Sequence, residues 1–118
     1  LAYPERIKKA CDPIDWSKPN TWQFLPIDSK KYPAIDLARK CGELGGGLPA
    51  VFNAANEVAV AAFLAGQIKF TAIIESVEKV VDSFTGNTPT TIRDISDVSA
   101  VEQGARMKAQ ELIKELAK

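Results

Sequence analysis

Apolar residues keep no helical period over the first 33 residues, where five of the seven prolines stand: Pro4, Pro13, Pro19, Pro26 and Pro33. Such spacings forbid a helix longer than about two turns, because each ring removes an amide donor and drives the preceding residue out of the helical region. This zone is read as extended or turning, with one short strand at TWQFLPI, residues 21–27, ended by Pro26. From Pro33 onward the period becomes helical. Ala34, Leu37, Ala38, Cys41 and Leu44 share one face of a first helix, opened by Pro33 and ended by Gly45, Gly46 and Gly47.

The next run, LPAVFNAANEVAVAAFLAGQI, is apolar almost all round and has Pro49 near its start and Gly66 at its end. One face carries Val51, Ala55, Val58, Ala59 and Ala62, and a second beside it carries Phe52, Ala59 and Phe63. A helix wet only on a narrow side belongs at the centre of a bundle, and its alanines let neighbours approach closely. A third helix is predicted from Thr71, read as its N-cap, to Phe84, with Ile73, Val77, Val80 and Val81 inward. Thr91 and Asp94 suggest a short turn of helix around Ile92 and Ile95. Ser99 and Glu102 then form a capping box for a last helix with Val101, Ala105, Leu112, Ile113 and Leu116 inward, and Gly104 marks a close backbone contact. The prediction is a mainly α fold, a four-helix-bundle-like domain over residues 32–118 preceded by an extended, proline-rich linker over residues 1–31.

Composition narrows the function classes. Fifteen basic and fifteen acidic residues cancel among 118, with no basic cluster, so there is no field or stripe to hold nucleic acid. Asn53, Asn56 and Glu57 interrupt the longest apolar run, which argues against a membrane span. Histidine is absent, and Cys11 and Cys41 stand thirty residues apart, so the usual zinc constellations and the commonest neutral-pH acid/base are both missing. The chain opens Leu-Ala-Tyr and has Met107 as its only methionine, which reads as a piece of something longer.

The candidate chemistry is sparse. The triple glycine lacks the frame of a phosphate loop and reads instead as a flexible joint between helices. Asn53, Asn56 and Glu57, three and four residues apart, are expected on one side of the second helix. Buried amides there need partners, so the three are read as a structural polar network. The alternative is a patch touching a ligand or an absent domain. Asp94 and Asp97 sit where acids cap helices, and no pair of acids forms a metal or acid/base dyad. Trp16 and Trp22 in the proline-rich zone need a surface to bury against, supplied by the helices or by a missing domain.

LAYPERI, the WQF segment with YPAIDLAR behind it, VFNAANEVAVAAFLAGQIKFTAI and TTIRDISDV, in that order, resemble the C-terminal part of the 1-deoxy-D-xylulose 5-phosphate reductoisomerase family. The resemblance spans essentially the whole chain, and the NAANE string of Asn53 to Glu57 is its most specific element. It implies a three-part parent: an NADPH-binding α/β domain, a catalytic and dimerising domain, and a C-terminal helical bundle reached through an extended linker. Such a parent is a homodimer that converts 1-deoxy-D-xylulose 5-phosphate to 2-C-methyl-D-erythritol 4-phosphate in isoprenoid synthesis, using NADPH and a divalent metal (Mg, Mn or Co). It is cytoplasmic in bacteria and plastid-borne in plants.

The resemblance also implies that the metal-binding acids, the phosphate-binding residues and the lid lie upstream of Leu1. Within this chain it leaves no catalytic, cofactor-binding or metal-binding residue. Only Pro4 carries over, at the edge of the substrate pocket. The competing reading is a free-standing helical module that docks on a protein partner through its Trp- and Pro-rich arm.

Overall fold

The computed structural model describes residues 3–5, 7 and 11–116, so the remaining residues of LAYPERI, and Lys118 at the other end, lie outside the described residues. Four helices follow one another: α1 (Ala34–Leu44), α2 (Leu48–Leu64), α3 (Thr71–Phe84) and α4 (Ile95–Leu116). α2 packs against all three others. It buries Leu48, Val51, Ala54, Ala55, Ala59 and Ala62, while α3 contributes Val77, Val80 and Val81, and α4 contributes Val101, Ala105, Ala109 and Ile113. The core is thus built of valine and alanine, small side chains that allow close approach of the helices. Ser76 is buried with them, its hydroxyl donating to the Ala72 carbonyl at 2.7 Å. α1 is attached more thinly, burying only Leu37 and Cys41 and pairing Lys40 with Asp82 of α3 at 3.4 Å, and Leu44 is exposed.

Several local expectations are corrected. The strand at residues 21–27 does not form: the segment has no regular secondary structure, and no strand occurs among the described residues. Thr71 is the first residue of α3, not its cap; Phe70 holds the N-cap position without a side-chain hydrogen bond. The short helix and the last helix are one. Ser99 lies inside α4, its hydroxyl donating to the Ile95 carbonyl at 3.0 Å, so it caps nothing. The cap is Asp94, whose Oδ1 accepts the backbone N–H of Ser96 at 2.9 Å and of Asp97 at 3.1 Å. Asp97 reaches back to the backbone N–H of Arg93 at 3.0 Å, closing a capping box one residue wider than usual. Gly104 does meet a close neighbour, but it is the ring of Phe84, 3.4 Å from where a Cβ would stand.

The joint between α1 and α2 is pinned rather than free. Gly46 has φ +56°, and a Cβ there would lie 2.4 Å from the Pro89 carbonyl oxygen, which also accepts the Gly47 N–H at 3.0 Å. The glycines therefore let the loop after α3 press backbone to backbone onto the α1–α2 turn. Ahead of the bundle every described residue before Leu37 is exposed. The radius of gyration is 18.6 Å, against about 13.5 Å for a compact chain of this length. The arm accounts for the excess.

Candidate functional site

The polar residues of α2 divide between two places. Asn53 donates to Glu57 Oε1 at 3.1 Å, and the other oxygen of Glu57 lies 2.6 Å from Arg106 Nη1 on α4. Arg106 also sits 3.6 Å from Glu102. This pair of helices is thus tied by one guanidinium between two carboxylates. The Arg106 guanidinium, then the Asn53 amide, hold the Glu57 carboxyl below its ordinary value. Asn56 does not join them: side chains of successive residues diverge by about 100° around a helix, and Asn56 turns toward α3. The expectation that all three share one side is corrected, as is their burial, since Asn53 and Glu57 are exposed and Asn56 is half-buried.

Asn56 lines a groove of about 770 Å³. Its floor is Phe52 and Val60 of α2 with Ile73 and Ile74 of α3, and its lid is the end of the arm, Ile27 and Tyr32. Lys30 and Lys31 stand on one rim, Glu75 and Glu78 on the other. The polar groups are on opposed rims and of opposite sign, so they do not converge on any single charged ligand. Sequence reading missed this groove because it is assembled from three segments, two of them read as bundle helices and one as an extended linker, whose meeting no local pattern encodes.

The other candidates are separate from it. Pro4 is exposed at the far end of the arm, following Tyr3, which is 95% exposed. Asp94 and Asp97 are occupied as caps. Ser96 above all lowers the pKa of Asp94, and the Arg93 guanidinium that of Asp97. Cys41 is buried and its thiol is pushed up by that burial, while Cys11 is exposed, and neither is bonded to the other. Among the described residues no three His, Cys, Asp or Glu side chains come together to hold a metal ion. The glycine joint faces the Pro89 carbonyl, an acceptor that repels phosphate. Among the described residues no helix is long and apolar enough to cross a membrane.

The described residues form a helical bundle that carries an arm with exposed aromatics, Trp16, Trp22 and Phe24 among them. Residues 1–108 match the family model described as the DXP reductoisomerase C-terminal domain, and the chain belongs to that family. It is 46% identical over 112 residues to the 1-deoxy-D-xylulose 5-phosphate reductoisomerase of Kitasatospora griseola, covering 95% of this chain and 29% of the relative. With that of Streptomyces coelicolor the identity is 43% over 117 residues, covering 99% of this chain and 28% of the relative. The chain thus spans less than a third of the length of these relatives. Among solved structures, the Zymomonas mobilis reductoisomerase in complex with NADPH superposes with a TM-score of 0.76 at 39% identity, covering 95% of this chain and 29% of that one. A reductoisomerase in complex with magnesium gives 0.80 at 33% identity, covering 99% and 31%. None of these comparisons supports a free-standing docking module.

Proposed function

We propose that this chain is the C-terminal supporting domain of an enzyme that rearranges and reduces 1-deoxy-D-xylulose 5-phosphate to 2-C-methyl-D-erythritol 4-phosphate with NADPH and a divalent metal. The observation that carries the reading is one of coverage: relatives match along 95% and 99% of this chain while it accounts for only 29% and 28% of theirs. By itself the chain binds neither NADPH nor metal and turns over nothing. Its contribution is rigidity, since an active site must be held within roughly 0.5 Å of its working geometry by the elements around it.

Within this reading residues 1–31 are the end of the catalytic part and the linker, and residues 32–118 are the bundle. Pro4 borders the substrate pocket, a packing role. Asn53, Asn56 and Glu57 are structural: the first and third tie α2 to α4 through Arg106, and Asn56 faces the end of the arm. The parent is a homodimer in the bacterial cytoplasm, with its NADPH-binding and catalytic domains as this chain's partners.

Calorimetric titration of the purified chain with NADPH, then with 1-deoxy-D-xylulose 5-phosphate plus manganese, tests the reading. Flat heats from a sample whose circular dichroism is helical are expected. Saturable, stoichiometric binding of either ligand would overturn it.

A further inference from the structure

Residues 21–25, Thr-Trp-Gln-Phe-Leu, carry three apolar side chains that the bundle does not use: Trp22 is 64% exposed, Phe24 85% and Leu25 72%. Among the described residues, no backbone N–H or carbonyl of this stretch takes part in a hydrogen bond. One end lies close to the bundle, because Ile27 lines the groove beside α2 and α3. Pro19 and Pro26 bracket the stretch, so it cannot be a helix. What remains is a segment of common strand length, about 5 residues, rich in β-forming side chains and without a ladder.

We infer that residues 21–25 add as an edge strand to a β-sheet in the upstream part of the parent chain. The inference rests on the reading proposed above and names the surface through which the supporting domain is attached. Its logic is hydrogen-bond accounting. Trp22 and Phe24 lie on the same face of an extended chain, and covering both takes the Gln23 backbone out of water with them. Each buried, unpaired backbone group costs about 1–3 kcal/mol. A sheet edge satisfies those groups in register while its face receives the two rings. The bundle offers no such edge among the described residues. The relatives have the chain length for it: 71% of the Kitasatospora griseola protein lies outside the match, since the match covers 29%, and the matched family model is a C-terminal domain.

The experiment is amide hydrogen exchange on residues 21–25 in two samples: the chain alone, and the Streptomyces coelicolor reductoisomerase carrying this chain in place of its own matching segment. Alternate amides in the chimaera are expected to slow by at least about a hundredfold relative to the isolated chain. A chimaera that turns over substrate with these amides unprotected overturns the strand and leaves the proposed function standing. Protected amides in a folded chimaera without turnover do the reverse. Protection that appears in the isolated chain and grows with its concentration overturns the inference in favour of a second copy as partner. If the chimaera does not fold, the aligned segment of the unmodified Streptomyces coelicolor enzyme decides by the same exchange measurement.

Discussion

Two glycines with similar backbone angles separate conformational strain from steric contact. Gly46 and Gly66 have φ +56° and +72°, but a Cβ on Gly46 would lie 2.4 Å from the Pro89 carbonyl while nothing lies within 4 Å of one on Gly66. Gly66→Ala should therefore cost only the left-handed penalty, roughly 1–2 kcal/mol. Gly46→Ala should cost clearly more, because the neighbour that must move is backbone. Urea unfolding of the two variants reads the difference; equal losses would mean that the loop at Pro89 yields freely. The pair of Glu57 and Arg106 offers a pH-dependent companion. Arg106 and Asn53 hold the Glu57 carboxyl below its ordinary value, so the stability it adds is complete above the unfolded carboxylate pKa and is lost as pH falls through the folded one. Glu57→Gln should be less stable than the native chain at pH 7, with the gap narrowing as the pH falls below the ordinary carboxylate range towards the folded pKa. A gap that stays constant across that range would assign the effect to packing.

At the scale of elements, α4 shows how a helix start can be misread from sequence. Ser99 with Glu102 has the spacing of a capping box, and so does an N-terminal cap at Asp94 with Asp97 three residues on. The structure takes Asp94, because Asp97 there also receives the Arg93 guanidinium at 2.9 Å and its backbone N–H at 3.0 Å. Local spacing could not rank the two, since the deciding partner lies before the cap. Asp94→Ala should lower the melting temperature and fray the first turn, whereas Ser99→Ala should leave both unchanged; the amides of Ser96 and Asp97 report this by hydrogen exchange. A larger effect at Ser99 would reinstate the later start. The helices themselves were legible from period alone, because their apolar positions repeat every three or four residues. The strand read at residues 21–27 does not form, because a strand is completed by a partner and the described residues supply none. NAANE was legible as a signature but not as geometry: the packing of α4 on α2 brings Arg106 to Glu57, which Asn53 also bonds, while Asn56 faces the groove.

At the scale of the whole molecule, the bundle and the arm make opposite demands on solvent. The buried core runs from Leu37 to Ile113, and every described residue before Leu37 is exposed. The groove's lining nevertheless includes the end of the linker, Ile27 and Lys30 to Tyr32, so a fragment that keeps these residues ahead of the bundle should retain all of its contacts. A chain shortened to residues 27–118 should then unfold at the same urea midpoint as the full 118 residues and with nearly the same m-value, since m scales with the surface that unfolding exposes. It should also associate less at high concentration, because Trp16, Trp22, Phe24 and Leu25, between 64% and 85% exposed, leave with the arm. A drop in m-value on shortening would show that the arm buries surface against the bundle, and the search for its partner would then turn inward. An unchanged m-value together with reduced association would place the arm's apolar side chains outside the bundle's cooperative unit, exposed to whatever the chain associates with.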